Sequence, residues 1–106
     1  MAHETRPGPA LRGFQRRWLR GRAHALRPVV QVGDEGVSDG VVRALDRALL
    51  DHELVKVRLQ KPGDKKAAAA ELAHASRAHL CGVVGHTVIL YRAHPETPKL
   101  EVPDRE

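Results

Sequence analysis

Apolar residues recur along this chain in three stretches with the period of a helix and in four short runs that suit strands. From Leu11 to about Ala25, 3.6 residues per turn place Leu11, Phe14 and Trp18 on one side and Arg12, Arg16, Arg17 and Arg20 on another, which predicts an amphipathic helix with an arginine-rich face. Arg27-Pro28 breaks that pattern, and Val29 to Val32, rich in β-branched residues, reads as a strand stopped by Gly33. Ser38 then caps a second helix to about His52, with Val41, Leu45, Ala48, Leu49 and His52 on one face. Leu54 to Leu59 alternates, Leu54, Lys56 and Arg58 facing one way and Val55, Val57 and Leu59 the other, until Pro62-Gly63 closes the run. The alanine-rich stretch from about Lys65 to His79 predicts a third helix whose face is Ala69, Leu72, Ala73 and Ser76. Leu80 to Val84 and Thr87 to Tyr91 complete the pattern as a hairpin around Gly85-His86.

The order α-β-α-β-α-β-β is that of an α/β fold. Single-element crossovers require parallel strand pairs, and the final hairpin adds an antiparallel one, so a mixed four-stranded sheet with packed helices is expected. Residues 1–10, with Pro7, Gly8 and Pro9 and little to bury, are expected to be a mobile tail. The Pro-rich residues 93–106 are expected to be an extended or disordered tail, which leaves 11–92 as the folded domain.

Composition narrows the picture. A chain of 106 residues holds one hydrophobic core's worth of domain, and with aromatics at 3% that core must be aliphatic. No apolar run approaches the ~20 residues that cross a bilayer, and the N-terminus lacks the apolar stretch of a secretory signal, so no membrane partner and a cytoplasmic location are expected. Cys81 is the single cysteine, which rules out an intramolecular disulfide and a cysteine-based zinc site and suits a small buried residue. The seven histidines and the clustered acids fall into no H-E-x-x-H, nucleophile-elbow or P-loop spacing, and His74 and His79 do not share a helical face. Neither catalysis nor a cofactor is expected.

Charge points to a partner instead. The chain carries +5, and the charge is segregated: seven arginines and no acid lie between Arg6 and Val32, then six acids against Arg43 and Arg47 between Asp34 and Glu53. Leu54 to Arg92 is basic again, with seven basic residues against Asp64 and Glu71. Such blocks are also what solvated faces look like, but two basic blocks around an acidic helix suit a surface directed at a polyanion.

Several segments together resemble a known family: Leu19-Arg20-Gly21, Ala23-His24, Leu26-Arg27-Pro28-Val29-Val30, Val32-Gly33, Gly36-Val37-Ser38, His52-Glu53-Leu54-Val55-Lys56-Val57 and Val84-Gly85-His86-Thr87-Val88-Ile89-Leu90-Tyr91-Arg92. The chain is similar from about Phe14 to Arg92 to the CRM domain (chloroplast RNA splicing and ribosome maturation), above all to its single-domain bacterial YhbY-like members. The resemblance implies a fold like the C-terminal domain of bacterial translation initiation factor three, binding of RNA through a basic surface, and association with precursors of the large ribosomal subunit. Two departures stand out: Arg22 where an apolar residue is usual, and the acids Asp34 and Glu35 between Gly33 and Gly36, where related sequences are commonly basic or neutral.

The candidate RNA contacts fall into three groups. Gly33-Asp34-Glu35-Gly36 resembles the G-x-x-G device of KH domains, in which small residues let backbone amides approach phosphates; equally, the glycines provide a turn, and Asp34, Glu35 and Asp39 repel an anion there. Arg12, Arg16, Arg17 and Arg20 suit bidentate phosphate contacts along one surface. Lys56 and Arg58 share a strand face, and Lys61, Lys65 and Lys66 extend the basic track. His24, Arg27 and Arg92 join them through the resemblance. A basic surface poor in aromatics suits structured RNA read by backbone and shape. A monomer is expected, and the alternative partner is a basic ribosomal protein docked on the acidic second helix.

Overall fold

The computed structural model describes residues 10–60 and 63–106. In chain order these form α1 (Gly13–Ala23), β1 (Val30–Val32), α2 (Asp39–His52), β2 (Leu54–Leu59), α3 (Lys65–Ser76), β3 (His79–Val84) and β4 (Thr87–Tyr91). Residues 1–9, where the N-terminal tail was expected, lie outside the described residues, as does Lys61.

Local chemistry accounts for the boundaries. Ser38 Oγ accepts the Val41 N–H at 3.2 Å and Asp64 Oδ1 the Ala67 N–H at 3.1 Å, each satisfying a free donor at a helix start. α3 stops at Ser76, short of the predicted His79, because Arg77 turns left-handed (φ 57°) and the Ala78 N–H donates back to the Ala73 carbonyl. His79 is thereby freed to start β3, where its ring stacks on Tyr91.

The sheet is mixed, in the order β1-β2-β4-β3. β1 and β2 are parallel, as the α2 crossover requires, with Val30 opposite Val57. The parallel pair expected between β2 and β3 does not form: β4 folds back and inserts between them, antiparallel to both. The apolar run of β4 explains this. Val88, Ile89 and Leu90 are all buried, so β4 suits a central strand covered on both faces, whereas β3, with Gly82 and the exposed Val84, suits an edge.

Two apolar layers flank the sheet. On one side Val30, Val32, Val55, Val57, Leu59, Val88 and Leu90 pack against Leu45 and Leu49 of α2 and Ala69 and Leu72 of α3. On the other, Leu54, Cys81, Ile89 and Tyr91 pack against Leu19 and Ala23 of α1. Of α1, Leu19 and Ala23 point at the sheet; Leu11 and Trp18, which the helical spacing groups on the apolar side, flank that contact and Phe14 is half-buried.

The chain after Arg92 has no regular secondary structure, yet it is docked. Leu100 and Val102 join the α1 layer, and the buried Glu53 carboxylate accepts the backbone N–H groups of His94, Lys99 and Leu100 at 2.8–2.9 Å. Burial pushes the Glu53 carboxyl up, but these N–H groups and the nearby His94 outweigh it and leave it below the usual carboxylate range.

Candidate nucleic-acid interface

The alternation of β2 sets the site. With Leu54 facing α1, Lys56 and Arg58 point to the same side of the sheet, as the pattern predicts. Register arranges that side in three rows: Leu54–Tyr91–His79, then Lys56–Ile89–Gly82, then Gln31–Arg58–Thr87–Val84. α1 covers the apolar residues of the first two. The third row lies beyond the α1 layer, with Gln31 and Arg58 exposed and Val84 61% exposed.

The α1 arginines divide into two pairs. Arg12 and Arg17 are exposed, whereas Arg16 and Arg20 are half-buried and fixed to backbone: Arg16 Nη1 donates to the Leu11 carbonyl at 2.6 Å and Arg20 Nη1 to the Cys81 carbonyl at 2.7 Å. Arg20 lies directly over Gly82, where a Cβ would stand 2.6 Å from Arg20 Cδ, so glycine is what permits this approach of helix to strand. Arg20 thus sits on the same face and in the same row as Lys56, one row from Arg58. Its aliphatic stem is packed and its guanidinium anchored, which pre-organises the charge.

Other candidates are placed differently from expectation. Lys56 is half-buried, and its Nζ donates to the carbonyls of His24 and Leu26 at 3.3 and 3.1 Å, pinning the segment after α1. His24 and Arg27 are exposed on that segment, and Arg27 and Arg22 line an open, mainly apolar cleft of about 660 Å³ shared with Leu26 and Val29. Arg22 holds its guanidinium 5.3 Å from the Trp18 ring, a cation–π distance. Arg92 is corrected outright. It is 6% exposed, and its guanidinium donates to Asp46 Oδ1, the Ser76 carbonyl and the Asp46 carbonyl, so it joins α2, α3 and β4 inside the fold instead of offering a surface charge.

The G-x-x-G turn lies at the far end of the sheet from the α1 segment pinned by Lys56. Only Gly36 needs positive φ (71°); the Gly36 N–H donates to the Gly33 carbonyl to close the turn. Asp34 and Glu35 are exposed. Beside them a cleft of about 340 Å³ is lined by Asp34, Asp64 and Glu71 together with Gln60, so the wall that α3 and its cap form is acidic. The start of α2 has free N–H groups, but a phosphate there meets this negative field.

Among the described residues, no group of three or more His, Cys, Asp or Glu side chains is placed to hold a metal ion. Cys81 is buried, its thiol pushed up to about 11, so at neutral pH it is no thiolate nucleophile. No described helix is long and apolar enough to cross a membrane.

Residues that the linear pattern did not single out complete the open row. Gln31, between Val30 and Val32, was legible as the one polar residue in a strand of valines; its partners Thr87 and Val84 became visible only once β4 was placed beside β2.

The family model described as the CRS1 / YhbY (CRM) domain matches residues 11–92. The chain belongs to the CRM domain family. It is 38% identical over 95 residues to the probable RNA-binding protein YqeI of Bacillus subtilis, covering 88% of this chain and 99% of that protein. It is 33% identical over 91 residues to an RNA-binding protein of Haemophilus influenzae, covering 84% and 91%. The solution structure of the hypothetical protein SAV1595 from Staphylococcus aureus superposes with a TM-score of 0.77 at 35% identity, covering 88% of this chain and 99% of that one. The CRM family match thus contains all seven helices and strands and stops at Arg92, before the docked C-terminal segment.

Proposed function

We propose that this CRM domain binds structured RNA through the face that carries α1 and the open row of the sheet, and that it serves in the cytoplasm as an assembly factor on precursors of the large ribosomal subunit. The observation that carries the RNA reading is the placement of Arg20, Lys56 and Arg58 on one sheet face beside the exposed Arg12 and Arg17 of α1. The names of the relatives support it, one being called a probable RNA-binding protein and the other an RNA-binding protein. The step to ribosome assembly rests on the family resemblance.

Chemically the face is built for backbones more than bases. Guanidinium groups neutralise phosphates, and Gln31 and Thr87 add uncharged hydrogen-bonding groups beside Arg58 without an aromatic platform for stacking. The acidic second helix makes a poorer site for a basic protein than its sequence suggests. Asp46 is paired with Arg92, Asp51 with Arg47, and Glu53 is buried under the C-terminal segment.

The test compares Arg58→Ala and Arg17→Ala with the unaltered chain by fluorescence anisotropy on a labelled RNA hairpin. Each should weaken binding several-fold, as expected for the loss of about one phosphate contact. Absence of binding by the unaltered chain at low salt overturns the RNA reading; crosslinking and sequencing of cell-bound RNA tests the ribosomal step separately.

A further inference from the structure

The segment after Arg92 lies outside the matched family domain, yet it is bound to the helix on which the RNA reading depends. It is anchored at its near end. Glu53 Oε2 accepts the His94 N–H, Glu53 Oε1 accepts those of Lys99 and Leu100, and His94 Nδ1 accepts the N–H groups of Glu96 and Thr97 to form the intervening turn. From there the chain runs along α1. Leu100 and Val102 pack in the layer of Leu19 and Ala23, Gln15 Nε2 donates to the Pro103 carbonyl at 2.9 Å, and Glu106 Oε1 meets Arg17 Nη2 at 3.1 Å.

The two ends of this segment differ in strength. The anchor is buried, with apolar contacts and charge-assisted backbone hydrogen bonds. The far end is not: the Arg17 and Glu106 side chains are 64% and 77% exposed, the regime in which an ion pair adds little and yields to salt or a stronger anion. Residues 101–106 also carry three acids, Glu101, Asp104 and Glu106, against Arg105. The anchor holds a weak acidic end at high effective concentration beside an arginine proposed to bind phosphate.

We propose that the C-terminal segment is an acidic strap whose last residues compete with RNA for α1, Glu106 holding the place on Arg17 that a phosphate takes in the complex. The inference rests on the RNA reading above and adds its regulation. In the complex the far end lifts while the Glu53 anchor and the Leu100–Val102 packing stay. Sequence separation hid this, because residues 17 and 106 meet only through the fold.

The experiment uses the full chain, a fluorescein-labelled RNA hairpin and low salt. Asp104→Asn with Glu106→Gln should tighten binding about threefold to tenfold, the scale expected from removing two exposed like charges from a phosphate site, and the gain should fade at high salt. Asp51→Asn with Glu71→Gln changes net charge equally, at two exposed carboxylates of α2 and α3, which pack on the opposite face of the sheet from α1, and should gain much less. In an Arg17→Gln background, Glu106→Gln should give no gain beyond that of a distant charge, since the contact is already gone. In NMR of the bound unaltered chain, the Leu100 and Val102 methyl resonances should stay unshifted while the Arg17 Nε resonance, read in a nitrogen-correlated spectrum, moves. Equal gains from the two double variants, or a Glu106→Gln gain that persists without Arg17, overturn the strap while leaving RNA binding intact. Absence of RNA binding by the unaltered chain overturns the RNA reading and the strap together.

Discussion

Arg58 lies on β2 and Arg92 just past the end of β4, and their surroundings give these two arginines opposite roles. Arg92 is spent inside the fold: its guanidinium donates to Asp46 and to the buried Ser76 carbonyl, and removing it takes this donor from the carbonyl. Arg92→Ala should therefore lower stability by about 2–3 kcal/mol, less than a fully buried pair because Asp46 is half-exposed, with RNA affinity per folded molecule unchanged. Chemical denaturation and anisotropy on the same sample check both halves. Lys56 is intermediate, since its Nζ holds two carbonyls after α1, so Lys56→Ala should cost both stability and binding, whereas Arg58→Ala costs binding alone. Glu53 adds a pH dependence whose sign follows from its lowered value. Docking of the C-terminal segment is then fully stabilised above the ordinary carboxyl value of 4.5 and lost as pH falls through the lower folded value. Leu100 and Val102 methyl resonances should report release in acid, and Glu53→Gln should weaken docking already at neutral pH; a segment that stays docked in acid after Glu53 is protonated contradicts this account.

At the scale of elements, the turn Gly33 to Gly36 and helix α1 offer two different routes to phosphate, and charge separates them. Asp34 and Glu35 are exposed, and the adjoining cleft adds Asp64 and Glu71, so the turn's free amides lie in a repulsive field. Replacing both Asp34 and Glu35 with Lys should tighten RNA binding if phosphate reaches the turn, at a cost of a few tenths of a kcal/mol from lost helix-dipole interactions at α2. A control of equal charge is essential. Glu101 and Asp104 look remote in sequence but belong to the segment docked on α1, so lysines there alter the other candidate surface. Asp51 and Glu96 are the better pair: both are exposed, Asp51 lies at the opposite end of α2 from the turn, and Glu96 sits in the turn that His94 closes, before the stretch that runs along α1. If Asp51→Lys with Glu96→Lys gains as much as the loop variant, the turn makes no phosphate contact and α1 with Arg58 carries the affinity.

Across the whole molecule, what was legible from the sequence was what local periodicity determines. The seven elements, the exact span of β4 and the shared face of Lys56 and Arg58 all follow from spacings of a few residues. What was not legible depends on contacts between distant positions: β4 inserting between β2 and β3, Arg92 turning inward to Asp46, and residues 94–106 closing on Glu53 and α1. Helical spacing grouped the α1 arginines but could not say that Arg20 is tied to the Cys81 carbonyl while Arg12 and Arg17 stay exposed, because that depends on where β3 lies. These assignments lead to one quantity that tests the assembled surface at once. If Arg12, Arg17, Arg20 and Arg58 neutralise roughly three to four phosphates, the plot of log affinity against log salt should have a slope of roughly −2 to −4, since each contact contributes about −0.7 to −0.9 by counterion release. Arg58→Ala should make that slope shallower by about one contact, whereas Arg92→Ala should leave it unchanged, because a charge already neutralised by Asp46 releases no counterion. Titrations of a labelled RNA hairpin at several salt concentrations measure all three slopes. Binding that holds its affinity at high salt, with equal slopes for the unaltered and Arg58→Ala chains, would show that contacts other than phosphate neutralisation hold the RNA and that the arginine face is not its site.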